Sequence, residues 1–275
     1  MKIGIIGLGL MGGSLALAFK KLNYIDTIVG YDRNEEHKKV ALELNLVDKT
    51  VPFEEIKTCD VIILAIPVDG IIALFKEFEN IDENTTIIDL GSTKEFIVNS
   101  IPTKIRKNFV AAHPMTGKEK HGPEAALEEL YKNKVVVLCD LENSGEHQQQ
   151  LAVRLFSGIE MQLNYMTAHE HDRHAAFISH MPHAISYSLA NTVLAQADKY
   201  NILALAAGGF RSMSRLAKSS PAMWEDIFRQ NKKNLLESIE IFETELSAMK
   251  KNIQEDDYKA INEKMQNANK LHDIL

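Results

Sequence analysis

The stretch KIGIIGLGLMGG, residues 2–13, joins a short apolar run to a glycine-rich turn and decides how the chain begins to fold. The run predicts a buried strand, and the Ala/Leu-rich residues 14–19 after the turn predict a helix. In this G-x-G-x-x-G arrangement Gly7 permits the tight turn, Gly9 lets a pyrophosphate approach the backbone, and Gly12 lets helix and strand pack closely. Because N–H groups at the start of a helix attract phosphate, the pattern predicts a dinucleotide site.

An acidic residue at the expected distance supports this site. A second predicted strand, residues 27–31, ends in Asp32, 20 residues after Gly12, where a carboxylate accepts hydrogen bonds from the adenosine ribose of NAD. Arg33 follows directly and leaves some room for NADP, although the carboxylate favours NAD. The residues expected to bind the cofactor are Gly7, Leu8, Gly9, Leu10, Met11, Gly12, Asp32, Arg33, Ala65, Pro67, Ser92 and Thr93.

Composition narrows the class of protein. The 275 residues are 45% hydrophobic and 25% charged, as in an ordinary globular protein, and the net charge of −7 argues against a nucleic-acid partner. No run approaches the ~20 apolar residues of a membrane span, and Lys2 followed by a strand does not resemble a signal peptide. Cys59 and Cys139 stand singly in apolar contexts, which is typical of reduced thiols. We therefore expect a cytoplasmic protein without nucleic-acid or membrane partners.

The order of predicted elements indicates two domains. Strands and helices alternate over residues 1–163, which predicts a mostly parallel, doubly wound Rossmann-type sheet with ligands at the carboxyl ends of its strands. Residues 164–275 have helical spacing and predict an all-α domain that completes the active site and forms a homodimer. The predicted strands are 2–7, 27–31, 61–65, 86–89, 109–112, 134–138 and 160–163, and the predicted helical stretches of the second domain are 167–198, 222–250 and 254–272.

Three strand ends, residues 65–68, 89–94 and 112–117, should meet at the nicotinamide half of the cofactor. His113 lies in the last of them, before a proline that excludes helix, and its imidazole can accept a proton from a substrate hydroxyl while hydride leaves the same carbon. Ser92, on the neighbouring strand end, can hydrogen-bond this imidazole or the hydroxyl. The alternative is that both residues merely cap loops.

Cationic side chains in the helical domain point to an anionic substrate. Arg211 and Arg215 are four residues apart, and His180 and His183 lie on an earlier helical stretch of an otherwise acidic chain. Surface arginines and core histidines are the alternative interpretation. The five histidines between His169 and His183 suggest a metal, but no carboxylate or cysteine completes a zinc spacing, so we expect no metal.

These motifs together resemble the prephenate dehydrogenase family, which includes arogenate and cyclohexadienyl dehydrogenases. The segments that carry the resemblance are 7–14, 91–94 (GSTK), 113–119 (HPMTGKE), 171–172 (HD), 179–183 (SHMPH), 208–210 (GGF), Arg215 and 221–224 (PAMW). They cover nearly the whole chain. One departure is Glu95, which replaces the glycine usual after Ser-x-Lys.

The resemblance implies NAD-dependent oxidation of prephenate with loss of its ring carboxylate, giving 4-hydroxyphenylpyruvate for tyrosine synthesis. It implies that His113 takes the hydroxyl proton, that Ser92 orients it and that Glu119 lies near the entrance. The residues expected to bind substrate are His183, Arg215, His180, Glu119, Arg211 and Trp224. Tyrosine feedback would have to act at the active site, because the chain has no space for a regulatory domain or a fused mutase.

Other activities remain possible on sequence grounds. Arogenate carries an ammonium where prephenate has a keto group, and His183 with a nearby arginine favours the keto acid. A β-hydroxyacid dehydrogenase would need a catalytic lysine in the helical domain, and none is evident. A non-catalytic cofactor sensor would keep the glycine turn without a proton acceptor, which His113 and Ser92 argue against.

Overall fold

The computed structural model describes residues 1–274, and its central feature is an eight-stranded sheet in the order β3-β2-β1-β4-β5-β6-β7-β8. The strands are β1 Lys2–Ile6, β2 Thr27–Tyr31, β3 Lys49–Thr50, β4 Val61–Leu64, β5 Thr86–Asp89, β6 Phe109–Pro114, β7 Val135–Cys139 and β8 Gln162–Met166. Neighbouring strands are parallel except β6 and β7, which are antiparallel. The expected doubly wound sheet is confirmed.

Both faces of the sheet are covered in its middle, which explains why the inner strands are apolar throughout rather than alternating. In β4, Val61 and Ile63 pack into one core cluster, while Ile62 and Leu64 pack into the other. All four side chains are fully buried. The helices that accompany the sheet are α1 Leu10–Phe19, α2 Glu35–Glu43, α3 Phe53–Ile56, α4 Val68–Leu74, α5 Glu95–Ser100 and α6 Glu146–Gly158.

Two strand predictions need correction. The two-residue edge strand β3 was missed, because Lys49 and Thr50 give no apolar run. The last strand begins at Gln162 rather than at residue 160, since Glu160 takes a left-handed conformation (φ 61°) that ends the preceding helix. This strand crosses the domain boundary expected between residues 163 and 164, and we propose to place the boundary after Met166.

The second half of the chain is helical, as expected. Its helices are α7 Ala168–Ala175, α8 Met181–Leu194, α9 Lys199–Ala204, α10 Gly208–Ser214, α11 Pro221–Gln230, α12 Lys232–Gln254 and α13 Tyr258–Asn269. The stretch 167–198, predicted to have helical spacing, contains a π-helical turn, Ala176–His180, between α7 and α8. Helices α9 and α10 were not predicted. Among the described helices, none is long and apolar enough to cross a membrane.

The order of the strands shows at which edge of the sheet a ligand is expected to bind. From β1 the chain proceeds to β2 and β3 on one side, then crosses to β4, β5 and β6 on the other. Crevices at such a switch point, beyond the carboxyl ends of the strands, are where doubly wound sheets bind ligands.

Candidate active site

The glycine turn after β1 has the geometry that a dinucleotide site requires. Gly7 adopts φ 94°, and a Cβ there would overlap the Ala65 carbonyl oxygen, so no other residue fits. A Cβ on Gly12 would overlap the Gly7 carbonyl oxygen, which shows how closely α1 packs on the turn. Gly9, in contrast, faces open space, with nothing within 4 Å of a Cβ built on it.

A cavity of about 690 Å³ opens at the switch point beside this turn. Of the residues expected to bind cofactor, it is lined by Gly7, Gly9, Asp32, Arg33, Ala65 and Pro67. Its remaining walls are Ile6, Tyr31, His37, Phe53, Ile66, Gly70, Leu74 and Glu77. Leu8, Leu10, Met11, Gly12, Ser92 and Thr93 do not line it, and the leucine side chains at 8 and 10 are buried in the core.

Asp32 is held in place at the end of β2. Its Oδ2 accepts the Leu8 N–H at 2.8 Å and contacts His37 Nδ1 at 3.3 Å, and its Oδ1 accepts the Asn34 N–H at 2.9 Å. The carboxylate therefore fixes the glycine turn as well as lining the cavity.

His113 stands at the end of a hydrogen-bonded chain that sequence reasoning did not find. Its Nδ1 lies 2.8 Å from Nε2 of His171, and His171 Nδ1 lies 2.8 Å from Oδ1 of Asp172. A carboxylate only accepts hydrogen bonds, so we assign a hydrogen to His171 Nδ1 and take its Nε2 as the acceptor toward His113. His113 then donates from Nδ1, and its Nε2 is free of hydrogen. This is the protonation state that a general base needs.

The surroundings keep His113 neutral. Burial is the main cause of a pKa well below its ordinary value of 6.5, and the positive charge of Lys94 lowers it further. The ring is nevertheless partly accessible at the end of β6. At neutral pH the imidazole is thus ready to accept a proton.

Asp172 also joins the two halves of the chain. Its Oδ1 accepts the Lys94 N–H at 2.8 Å, and its Oδ2 accepts the Glu95 N–H at 2.9 Å, so it caps α5 from the helical domain. Glu95, at the position where the family usually has glycine, takes part through its backbone. Its side chain contacts the exposed His169 at 3.4 Å.

A buried ion pair supports the strand end that carries His113. Lys94 and Asp89 are both fully buried and paired, and Lys94 Nζ also donates to the Ala112 carbonyl at 2.8 Å. Gly91 N–H donates to Asp89 at 2.8 Å. These contacts fix β5, the following turn and β6 relative to one another.

Ser92 and Thr93 follow β5 but play different parts. Within residues 1–274 the Ser92 hydroxyl makes no hydrogen bond, and His113 is paired with His171 instead. The catalytic role expected for Ser92 therefore stays a prediction about the complex with substrate. Thr93 is fully buried and donates to Gln230 Oε1 at 2.7 Å, so it supports the domain interface.

Two of the residues expected to bind substrate, His180 and His183, lie against Trp224 of α11. His183 stacks on the indole with ring centroids 3.5 Å apart and planes at 22°, and His180 meets it edge-on at 5.9 Å. The Trp224 Nε1–H is buried without a hydrogen-bond partner in the described residues, which leaves a donor available to a ligand. The π-helical turn sets His180 and His183 against the same indole.

The two histidines are both neutral but carry their hydrogen on different nitrogens. His180 accepts from Asn231 Nδ2 at 3.0 Å, and burial lowers its pKa to about 4, so it is neutral. His183 donates from Nδ1 to the Ser179 carbonyl at 2.9 Å, and burial lowers its pKa too. The neutral ring of His183 therefore offers Nε2 as an acceptor.

The two candidate arginines have different surroundings. Arg215 forms an ion pair with Glu119 of the 115–130 loop, and its guanidinium remains largely exposed. Arg211 is exposed and donates from Nε to the Ala206 carbonyl at 3.1 Å, at the start of its own helix. The structure therefore brings Arg215, but not Arg211, into contact with another predicted site residue. No three His, Cys, Asp or Glu side chains within residues 1–274 are grouped to hold a metal ion.

The glycine turn, the cavity beside it and the two-part architecture define a dinucleotide-dependent oxidoreductase. Residues 15–165 match the family model for the prephenate dehydrogenase nucleotide-binding domain, and residues 167–267 match that for the prephenate dehydrogenase dimerization domain. The chain belongs to the prephenate dehydrogenase family.

Individual relatives agree with this assignment. The prephenate dehydrogenase of Bacillus subtilis is 32% identical over 92% of this chain and 70% of its own length. The crystal structure of the Aquifex aeolicus prephenate dehydrogenase with hydroxyphenyl propionate and NAD+ has a TM-score of 0.93, with 30% identity, and covers 100% of this chain and 98% of that one. Arogenate dehydrogenase from Synechocystis has a TM-score of 0.84, with 25% identity, and covers 99% of both chains.

Proposed function

We propose that this protein is an NAD-dependent prephenate dehydrogenase that converts prephenate to 4-hydroxyphenylpyruvate. The observation that carries the proposal is the Asp172–His171–His113 chain, which presents an unprotonated imidazole nitrogen at the carboxyl end of β6. That strand end lies at the same sheet edge as the cofactor cavity. A proton acceptor and a hydride acceptor are the two components that oxidation of a ring alcohol requires.

The protein's residues supply binding, orientation and one proton transfer. Bound NAD supplies the hydride acceptor. His113 Nε2 takes the proton of the ring hydroxyl as the hydrogen on the same carbon departs with its electron pair, and a C=O bond forms. The bond between the ring and its carboxylate then breaks and carbon dioxide leaves. The electron pair of that bond stays with the ring, which becomes aromatic. Because aromatisation drives this second step, the site needs positioning more than a separate decarboxylation catalyst.

Arg215, His183 and the free Trp224 Nε1–H would hold the side-chain carboxylate and keto group of prephenate. Arg215 is released from Glu119 or shares its guanidinium with the substrate, because an arginine grips a carboxylate through two parallel hydrogen bonds. Ser92 would orient the ring hydroxyl toward His113.

Arogenate is the second candidate, and His183 supplies a specific reason. Since its Nδ1–H is used by Ser179, neutral His183 presents an acceptor to the ligand, which suits the ammonium of arogenate better than the keto group of prephenate. A hydrogen bond from His183 to the keto oxygen of prephenate would require His183 to be protonated. The lowered pKa of His183 therefore predicts that the KM for prephenate rises with pH more steeply than the KM for arogenate.

The decisive experiment follows NADH absorbance with purified protein and prephenate, arogenate or a panel of small hydroxyacids. We expect turnover with prephenate, and we expect NADP to be used poorly. Turnover with arogenate alone would assign the second activity. Turnover only with a hydroxyacid would contradict both, and no turnover with intact NAD binding would favour a cofactor sensor.

We also propose that the protein is a homodimer formed through its helical half, the region that matches the family dimerization domain. Large apolar side chains remain exposed there on α12 and α13, including Ile241, Leu246, Ile253 and Met265, each about half exposed. A surface of this kind indicates a protein interface. Light scattering after gel filtration should give twice the chain mass of 30.9 kDa.

Two further proposals concern regulation and location. Tyrosine should compete with prephenate, because it carries both the phenol of the product and a carboxylate for Arg215; inhibition that is not competitive would contradict this. A cytoplasmic location is supported by Cys59 and Cys139, which are buried and unpaired.

A further inference from the structure

Asn231, between α11 and α12, connects two groups of the candidate active site. Its Nδ2 donates to the Asp172 carbonyl at 2.6 Å and lies 3.0 Å from His180 Nδ1, and its Oδ1 accepts from Asn234 Nδ2 at 2.8 Å. All four residues are buried. Because a carbonyl only accepts hydrogen bonds, the contact with Asp172 fixes the amide of Asn231 with its nitrogen toward His180.

This orientation decides which nitrogen of His180 carries the hydrogen. An amide nitrogen only donates, so His180 Nδ1 must accept, and the hydrogen of the neutral ring lies on Nε2. In His113, His171 and His183 the hydrogen lies on Nδ1 instead, where each ring makes its hydrogen bond to a neighbouring residue. Of these four histidines, His180 alone offers a neutral donor from Nε2.

The donor of His180 lies near a second donor that has no partner. Within residues 1–274, neither the His180 Nε2–H nor the Trp224 Nε1–H makes a hydrogen bond. The two rings meet edge-on, with their centroids 5.9 Å apart. Buried donors are rarely left unpaired in folded proteins, so two of them on neighbouring rings indicate a ligand that accepts hydrogen bonds.

We propose that Asn231 is a positioning residue for the reaction: it keeps the hydrogen of His180 on Nε2, so that His180 donates a hydrogen bond to an oxygen of the substrate's side chain. The identity of this substrate rests on the proposed function. The side chain of prephenate carries a carboxylate and a keto group, whose oxygens only accept. Since neutral His183 presents an acceptor to the ligand, the neutral ring donors of this cluster are His180 and Trp224.

The first measurement uses the protein without substrate. Nitrogen NMR of the full chain with isotope-labelled histidine reports which ring nitrogen carries the hydrogen. At a pH of about 8.5, where imidazoles are neutral, we expect the His180 hydrogen on Nε2 in the wild type. The His180 signals are identified by their loss in His180→Gln. Asn231→Asp should move the hydrogen to Nδ1, because a carboxylate only accepts, as Asp172 does from His171.

The second measurement is calorimetric binding of 4-hydroxyphenylpyruvate in the presence of saturating NAD. Asn231→Asp also adds a negative charge that repels this anion, so its effect is measured a second time in the His180→Gln background, where the side-chain amide donates without a tautomer. At a pH of about 8.5, Asn231→Asp should weaken binding at least about fivefold more in the wild-type background than in the His180→Gln background, because only the former loses a buried hydrogen bond.

Ser238→Ala is the matched control. Ser238 is fully buried on α12, and its hydroxyl donates to the Leu235 carbonyl at 2.8 Å rather than to His180. This variant should keep the His180 hydrogen on Nε2 and bind 4-hydroxyphenylpyruvate within about twofold of the wild type.

A His180 hydrogen on Nδ1 in the wild type would overturn the proposal, as would an equal loss of affinity from Asn231→Asp in both backgrounds. The wild-type spectrum decides the assignment even if Asn231→Asp does not fold. A wild-type protein with the hydrogen on Nε2 that does not bind 4-hydroxyphenylpyruvate would count against the proposed function, and the role of Asn231 in fixing the His180 hydrogen would stand.

Discussion

Replacing His171 by leucine should remove most of the catalytic rate without removing the fold or the cofactor site. The imidazole of His171 is 2% exposed and makes one hydrogen bond of 2.8 Å to His113 and another of 2.8 Å to Asp172. Leucine has similar bulk but neither accepts nor donates. His113 then loses the partner that keeps its hydrogen on Nδ1 and leaves its Nε2 without a hydrogen.

The size of the effect follows from the lost contact. A buried donor left without an acceptor costs about 1–3 kcal/mol. If the whole loss falls on the transition state, turnover decreases by roughly 5- to 150-fold, at about 1.4 kcal/mol for each factor of ten. We expect kcat to fall by about tenfold to a hundredfold, with the KM for NAD changed by less than about threefold. His171→Gln should recover part of the rate, because its Oε1 can accept from His113.

The assay is initial-rate NADH formation with prephenate, combined with a thermal melt and NADH binding for each variant. His169→Gln is the matched control, since His169 lies on the same helix with its side chain 61% exposed and contacts Glu95 rather than His113. It should have wild-type kinetics. A folded His171→Leu protein with kcat within twofold of wild type would refute the reasoning, and so would a His171→Gln protein as slow as the leucine variant.

The other predictions concern the base, the substrate cation and acid stability. His113→Asn should lower kcat by roughly 10² to 10⁴ while keeping NAD binding. In the wild type, kcat/KM should rise with pH as His113 loses its proton, with a midpoint below 6.5 because the pKa of His113 is lowered. A midpoint at or above 6.5 would assign the base elsewhere. Arg215→Ala should raise the KM for prephenate by about thirtyfold, with lysine restoring only part, and an equal effect on NAD would indicate a structural role for the Arg215 contact to Glu119. Buried His180 has a pKa of about 4 in the folded protein, whereas the unfolded chain binds this proton near pH 6.5. The free energy of unfolding should therefore fall as the pH decreases from 6.5 to 4, by up to roughly 3 kcal/mol from this residue. Urea unfolding at both ends of that range should show a smaller loss for His180→Gln, and an unchanged loss would contradict the assignment.

The cofactor half of the site was largely predictable, because its demands are local. A glycine at position 7 is required by φ 94°, which arises within a strand–turn–helix unit that sequence spacing reveals. The contact with the Ala65 carbonyl, which also requires glycine, comes from the end of the neighbouring strand β4. Asp32 was predicted by its position after the second strand. Its hydrogen bond to the Leu8 N–H, in contrast, joins residues 24 positions apart and has no sequence signal of its own.

The catalytic half was predicted only in part. The sequence indicated His113 through its place at a strand end, but its partner lies 58 residues away at the start of the helical domain. The His171-Asp172 pair formed part of the family resemblance, yet no spacing rule connects it to His113. Similarly, the sequence predicted that residues 89–94 are a strand end with a following turn. Only the packing shows that the side chains of Asp89 and Lys94 are fully buried and paired.

The sequence alone thus determined the alternation of strands and helices, the glycine turn and the acidic residue after β2, because these depend on backbone conformation and on short-range hydrophobic patterning. Tertiary structure decided which nitrogen of His113 contacts His171, which histidine stacks on Trp224 and which arginine meets Glu119. Those properties depend on side chains from separate elements meeting in a partly buried cleft. There, hydrogen-bond geometry and desolvation set protonation, and neither can be read from positions along the chain.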